Sequence, residues 1–420
     1  MLYLSGGKIT PAYKMNTGKL KDYSFELGPI RPPSEGQDRS LLIRATRNCP
    51  WNRCQFCNAY KGQRFEYRGV EEVKHDIDIA KTLSDELKAA SWRFGYGGKV
   101  RNEVVTAMVQ SNPEVYGKEF VAPEVLVARL HSLVNVANWI NSGARTVFLQ
   151  DANSLIMRTP ELVEVIRYSK ETFPSIERVT SYARSKTTAK KSLEEFRELH
   201  EAGLSRLHVG LESGYDEVLT DMQKGVTAEE HIKGGRKVVE SGISLSEYVM
   251  PGLGGRRWSE PHAVETARVL NQIVPAFIRI RSLIVRRGTP LYERIEAGEF
   301  EQLTEDEVVD EIGLFIENLE CDSYVTSDQM SNLLWEIEGK LPEEKKAMLK
   351  AINEYKAMLP AERMKFRLER RLRSYLAVYG RLDPSLNQKV QEAFESIQKD
   401  SPDAGAKVDG AISALKGGFV

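Results

Sequence analysis

Short apolar stretches alternate with longer amphipathic ones between residues 41 and about 290. The apolar stretches predict strands at 41–46, 146–150, 178–181, 206–211, 244–250 and 277–284. Helical periodicity fills the gaps near 70–90, 123–141, 160–171, 187–202, 227–241 and 260–273. Gly143, Gly203 and Gly242 each fall between a helix and the next strand, where a helix commonly ends. Such alternation implies parallel strands covered by helices. With six strands the expected fold is α/β, a partial (βα)6 TIM-like barrel. An open doubly wound sheet has the same alternation.

The pattern changes at both ends. Residues 1–40 are rich in Gly, Pro and polar residues and read as a loop-rich lead-in. From about 304 the strands are expected to stop, and 304–319, 326–338, 342–358, 360–379 and 384–399 read as helices. The Gly- and Ala-rich end from 403 is expected to be weakly ordered. Three regions follow: 1–40, a barrel over 41–295, and a helical region over 296–420. The barrel holds an insertion at 92–122 whose glycines and aromatics suit a surface loop or a flap over a pocket.

Charged residues make up 28% and hydrophobic residues 41% of the 420, which is ordinary for a globular chain. The 59 basic and 60 acidic residues nearly cancel, so no basic surplus points to nucleic acid, and such a partner is not expected. No apolar run is long enough to span a bilayer and no signal pattern opens the chain, so a membrane partner is not expected. Four cysteines in so long a chain do not make a disulfide framework. Their clustering points to metal in a reducing cytoplasm.

Three of the four, Cys49, Cys54 and Cys57, lie directly after the apolar run Leu41-Leu42-Ile43. Thiolates are soft anionic ligands for iron or zinc. Three of them at a strand end hold three irons of a cubane and leave the fourth iron open to a substrate or cofactor. Two other readings are a zinc site completed by Cys321 or a histidine, and a purely structural cluster. Zinc sites usually show two paired ligand groups, and no second pair is present.

The spacing C-x4-C-x2-C, with Phe56 before the last cysteine, resembles the radical S-adenosylmethionine superfamily, whose usual signature is one residue shorter in the first gap. Further resemblance lies in Lys61–Phe65 and Val70–Val73, in Phe148-Leu149-Gln150-Asp151-Ala152-Asn153-Ser154 and in Thr180-Ser181-Tyr182-Ala183-Arg184. Gly210-Leu211-Glu212-Ser213-Gly214 and Gly288-Thr289-Pro290-Leu291-Tyr292 continue it. The pattern is closest to the branch of oxygen-independent coproporphyrinogen oxidases and methylthiotransferases. The resemblance implies a 4Fe–4S cluster on Cys49, Cys54 and Cys57. It implies cleavage of S-adenosylmethionine to a 5′-deoxyadenosyl radical that abstracts hydrogen from a small molecule. A flavodoxin or ferredoxin is implied as low-potential donor, since cluster potentials span about −700 to +450 mV and this cleavage needs the low end.

The resemblance also implies cofactor contacts at the carboxyl ends of the strands: Phe56, Gln150, Asp151, Asn153, Ser181, Arg184, Glu212, Ser213 and Met250. Where the family often has Gly-Gly-Glu this chain has Asp151-Ala152-Asn153, and Asp151 is assigned the carboxylate role by that resemblance. The Arg184 fork suits the methionine carboxylate. The plainer readings are an Arg184–Glu212 ion pair, a helix cap at Ser181 and a simple turn after Met250. Arg279 and Arg281 share a strand face that points to the interior or to solvent. His208 reads as a core residue; His75, His131, His200, His231 and His262 read as mostly superficial. Cys321 and Asp328 are the catalytic candidates beyond the barrel, against a packed thiol and a cap for a helix at 329–337. Methyl or methylthio transfer is an alternative reaction, and a non-catalytic iron–sulfur or zinc protein an alternative class.

Overall fold

The computed structural model describes residues 12–16, 22–33 and 39–418, so parts of the lead-in lie outside the described residues. Strands β1 (Leu41–Arg44), β2 (Thr146–Gln150), β3 (Arg178–Ala183), β4 (Leu204–Glu212), β5 (Ser244–Val249) and β6 (Phe277–Ile280) pair in that order, all parallel. β7 (Tyr324–Thr326) adds to β6 in parallel, and β8 (Gly339–Lys340) closes the edge antiparallel. The helices over the barrel are α1 (Val70–Arg93), α2 (Asn102–Ser111), α3 (Pro123–Asn141), α4 (Thr159–Thr172), α5 (Leu193–Ala202), α6 (Ala228–Glu240), α7 (Gly255–Ile273) and α8 (Glu305–Glu317). The last four are α9 (Lys345–Ala357), α10 (Pro360–Tyr379), α11 (Pro384–Gln398) and α12 (Ala404–Lys416).

Alternation along the strands builds two different faces. Leu41, Ile43, Val147, Leu149, Val179, Leu207, Val209, Leu245, Ile278 and Val325 face the helices and are buried in the main core. Burying each such side chain stabilises by about 1.5–3 kcal/mol. The residues between them face the concave side and are largely polar. Thr180 pairs in register with Arg206, Tyr182 with His208, His208 with Ser246, and Tyr248 with Arg279. Arg279 and Arg281 therefore line the interior. The edge of β1 is satisfied from α3: Asn135 accepts from the Leu42 amide and donates to the Ser40 carbonyl, which removes an open sheet edge.

Local sequence explains the helix starts. Ser192, Thr227 and Thr304 each form a capping box with a glutamate three residues on.

Four expectations change. The strands do not stop at 304, because Tyr324–Thr326 joins the sheet from a segment assigned to the helical region. No helix forms at 326–338. There, Asn332 binds the Ser282 amide and the Ile280 carbonyl, and Ser327 donates to the Leu334 carbonyl. Side chains of this kind compete with helical bonding. The insertion is only in part a surface loop: 94–101 is irregular, but α2 buries Val104, Ala107 and Met108, and Asn112 pins Tyr13 and Met15. The end is ordered as α12, because Val408, Ala411, Ile412 and Leu415 form one apolar stripe against Leu368, Leu386 and Val390.

Candidate active site at the cysteine loop

The loop carrying Cys49, Cys54 and Cys57 leaves the carboxyl end of β1, and all three thiols are free and partly exposed. Asn48 and Asn52 take left-handed backbone angles, φ 65° and 50°, which asparagine tolerates. The Asn48 side chain ties Arg44 to the Arg64 carbonyl, and the Asn52 amide donates to the Cys49 sulfur at 3.4 Å. Two remote segments clamp the loop. Gln55 donates to the Met222 carbonyl and accepts from the Leu291 amide, both at 3.0 Å. Trp51 donates its indole N–H to the Gln223 carbonyl at 2.7 Å and lies against Gly225, where a Cβ would stand 2.4 Å from the ring.

Beside the thiols sits a buried charge network. Lys224 Nζ stands 3.0 Å from Glu212 Oε2. Arg184 lies over the Trp51 ring at 5.1 Å and donates to the Lys224 carbonyl at 2.8 Å. The alternative Arg184–Glu212 pair does not form; Lys224 takes the carboxylate. Glu212 has φ 59° and curls back over Gly210, where any Cβ would meet its Oε1 at 2.4 Å. Burial pushes the Cys54 thiol up, opposed by Lys224 and Arg184. Burial works against the Lys224 charge, yet Glu212 and Cys54 outweigh it and raise its pKa. For Arg184 burial wins and lowers it. Behind this pair lie two buried neutral groups. Burial, then Glu212, raises Glu247 well above the carboxylate range. Burial, then Lys224 and Arg184, lowers His231 to about 3.

Four residues expected to contact a cofactor are engaged in hydrogen bonds within the protein. Gln150, Asp151, Asn153 and Ser181 are all fully buried. Gln150 binds both polar atoms of Gly28 and the Ile30 carbonyl, fastening the lead-in. Asp151 pairs with Arg44 at 2.7 Å and accepts from Tyr60. Asn153 accepts from the Arg184 amide at 3.0 Å and so sets the turn that carries the guanidinium. Ser181 caps no helix; it donates to the Leu149 carbonyl. Ser213 is buried and accepts from the Tyr215 amide. Phe56 and Met250 pack in an apolar cluster with Met222 and Leu253, with Lys224 5.9 Å from the Phe56 ring.

The two candidates beyond the barrel lie at opposite ends of β7. Cys321 precedes β7, at the amino end of the strands; it is buried beside Ser323, and burial raises its pKa. It is a packed thiol, too far around the fold to complete a site with the loop cysteines. Asp328 caps no helix and pairs with Arg279 and Arg281 at 3.4 and 3.0 Å. His231 and His262 are buried rather than superficial. His262 contacts Glu311 at 3.0 Å and the Glu212 carbonyl at 3.2 Å, bracing the backbone at Glu212. The sequence signal for Lys224, His231 and His262 was weak, since each sits among ordinary helical or loop polarity.

Among the described residues no three His, Cys, Asp or Glu side chains converge on a single metal ion. A cubane asks for a different geometry, because each thiolate takes its own iron. Three loop thiols with Arg184 and Lys224 alongside suit an anionic thiolate-held cluster.

The model of the radical SAM superfamily matches residues 118–267 of the chain. Enzymes of this superfamily work with a 4Fe–4S cluster and S-adenosylmethionine, and the donor set on the loop fits them. A tRNA uridine(34) acetyltransferase of Methanocaldococcus infernus is 29% identical over 122 residues, which cover 29% of this chain and 23% of that protein. Elongator complex protein 3 of Mus musculus is 24% identical over 156 residues, covering 35% and 26% respectively. The chain thus spans about a quarter of each relative's length. Methylornithine synthase has a solved structure 14% identical to this chain, with a TM-score of 0.39, covering 74% of this chain and 68% of that one. Among the described residues no helix is long and apolar enough to cross a membrane.

Proposed function

We propose that the protein is a radical S-adenosylmethionine enzyme acting on a small molecule by hydrogen abstraction, with Cys49, Cys54 and Cys57 as cluster ligands. The observation that carries this reading is the clamped loop of three accessible thiols with Arg184, Lys224 and Glu212 beside it. When bound, the cluster and S-adenosylmethionine supply a 5′-deoxyadenosyl radical.

The chain's own residues bind and orient. Arg184 offers a planar fork to the methionine carboxylate. Glu212, held by Lys224, accepts from the amine or the ribose hydroxyls. Phe56 and Met250 form an apolar wall that excludes water, and Ser213 fixes the backbone after Glu212. Gln150, Asp151, Asn153 and Ser181 act as positioning residues beneath them. The reading implies a low-potential donor of the flavodoxin or ferredoxin class and a reducing cytoplasm, consistent with four free cysteines.

Similarity to tRNA uridine(34) acetyltransferases favours a second reading, in which the substrate is a tRNA. Anaerobic reconstitution followed by a 5′-deoxyadenosine assay tests the reading. Cleavage is expected with the wild-type chain and lost with Cys54→Ala. A filled cluster without cleavage would overturn it in favour of a non-catalytic iron–sulfur protein. Stimulation by tRNA, and none by candidate metabolites, would select the second reading.

A further inference from the structure

Trp51 lies in the first gap of the cysteine loop, the gap that is one residue longer than the usual signature. Nothing in that signature gives it a task. The structure places it where three segments remote in sequence meet. Its indole N–H donates to the Gln223 carbonyl at 2.7 Å. Its ring fills the space beside Gly225, where an added Cβ would collide with three ring atoms. Gln223 and Gly225 take left-handed backbone angles, φ 51° and 71°, so the turn is bent around the indole. The Arg184 guanidinium stands over the same ring at 5.1 Å.

Other contacts fix the arginine from different sides. The Asn153 side chain accepts from the Arg184 amide at 3.0 Å. The Lys224 carbonyl, in the turn that Trp51 holds, accepts from Arg184 Nη2 at 2.8 Å. Burial works against the Arg184 charge, and an aromatic face offsets part of that cost for a desolvated cation. Stacking uses the flat face of a guanidinium and leaves its in-plane N–H donors for a carboxylate. Gln55, in the same loop as Trp51, donates to the Met222 carbonyl and accepts from the Leu291 amide, so loop and turn are held as one unit.

We propose that Trp51 is a positioning residue, which holds the Arg184 fork in the orientation that receives the carboxylate of S-adenosylmethionine. The proposal rests on the reading above, in which Arg184 takes that carboxylate. Trp51 acts through Arg184 and not through the cluster ligands.

The test is equilibrium binding of S-adenosylmethionine and, separately, of its decarboxylated form to reconstituted protein, with iron content measured alongside. Trp51→Leu removes the ring, and Trp51→Phe keeps a ring but loses the N–H. Trp51→Leu is expected to weaken S-adenosylmethionine binding about tenfold and Trp51→Phe about threefold. Iron content and affinity for the decarboxylated form are expected to stay at the wild-type level. Arg184→Gln should weaken S-adenosylmethionine at least as much, and adding Trp51→Leu to it should cost nothing further. If Trp51→Leu does not hold iron, Trp51→Phe decides; if the decarboxylated form binds too weakly to measure, the double variant decides. Wild-type affinity in the deciding Trp51 variant, equal losses for both ligands, or additive losses in the double variant overturn the proposal. With Arg184→Gln weakened, such a result leaves the reading of Arg184 standing; Arg184→Gln at wild-type affinity overturns that reading and the proposal together.

Discussion

Replacing Lys224 by methionine tests the buried pair at the centre of the site. Lys224 and Glu212 stand 3.0 Å apart, with side chains only 10% and 14% exposed. At an effective dielectric of about 20 their attraction is about 5 kcal/mol, and desolvation of the two ions offsets much of it. Removing the lysine alone forfeits the attraction but leaves the Glu212 carboxylate buried beside a raised Cys54 thiol and Glu247. The expected cost is therefore about 3–5 kcal/mol. Urea unfolding of the cluster-free protein reads this directly. With a slope near 3 kcal/mol per molar, the midpoint should fall by about 1 M or more. The double variant Lys224→Met, Glu212→Gln removes both charges and should recover at least about 2 kcal/mol relative to the sum of the single variants. A single-variant shift under about 0.2 M, or strict additivity in the cycle, refutes the claim that these two groups support each other.

Three further outcomes follow from other parts of the molecule. Glu305 is held at about 2 against burial by Arg371 and Lys416, so its ordinary value near 4.5 in the unfolded chain links it to pH. That displacement is worth about 3 kcal/mol, fully present above about pH 5 and lost as pH falls toward 2; Glu305→Gln should flatten the acid limb of a stability–pH profile. Tyr60→Phe removes the hydroxyl that donates to buried Asp151; unfolding midpoints should show a loss of about 1–3 kcal/mol. Cys321→Ala should leave the iron content of reconstituted protein unchanged, and Cys321 should react slowly with a thiol reagent in the native state, because it is buried at the far end of the strands.

The strand positions were legible because β-sheet burial writes itself as contiguous apolar runs, as at Leu41–Ile43 and Val147–Leu149. The cysteine loop was legible because its ligands are close in sequence. What joined Glu212 to Lys224, or Asp151 to Arg44 and Tyr60, was tertiary proximity, which no local spacing records. Asp151 illustrates the difficulty: a carboxylate after a strand end looks available, yet both its oxygens are engaged within the protein. The missed strand at Tyr324–Thr326 is only three residues long, too short for a period to show. The polar run after it looked helical by its apolar spacing, but Ser327 and Asn332 satisfy backbone groups of neighbouring segments instead.

Glu311 gives the helical layer a mechanical connection to the reactive mouth. From the middle of α8 this one carboxylate receives the Gly252 amide, the Ser259 hydroxyl and His262, whose other nitrogen meets the Glu212 carbonyl. The same helix begins at Glu305, which grips Arg371 and Lys416 of α10 and α12. A rotation of α8 by a fraction of a turn would reach both ends of this linkage together. A shift of the last helices would therefore be felt at the bend that presents Glu212.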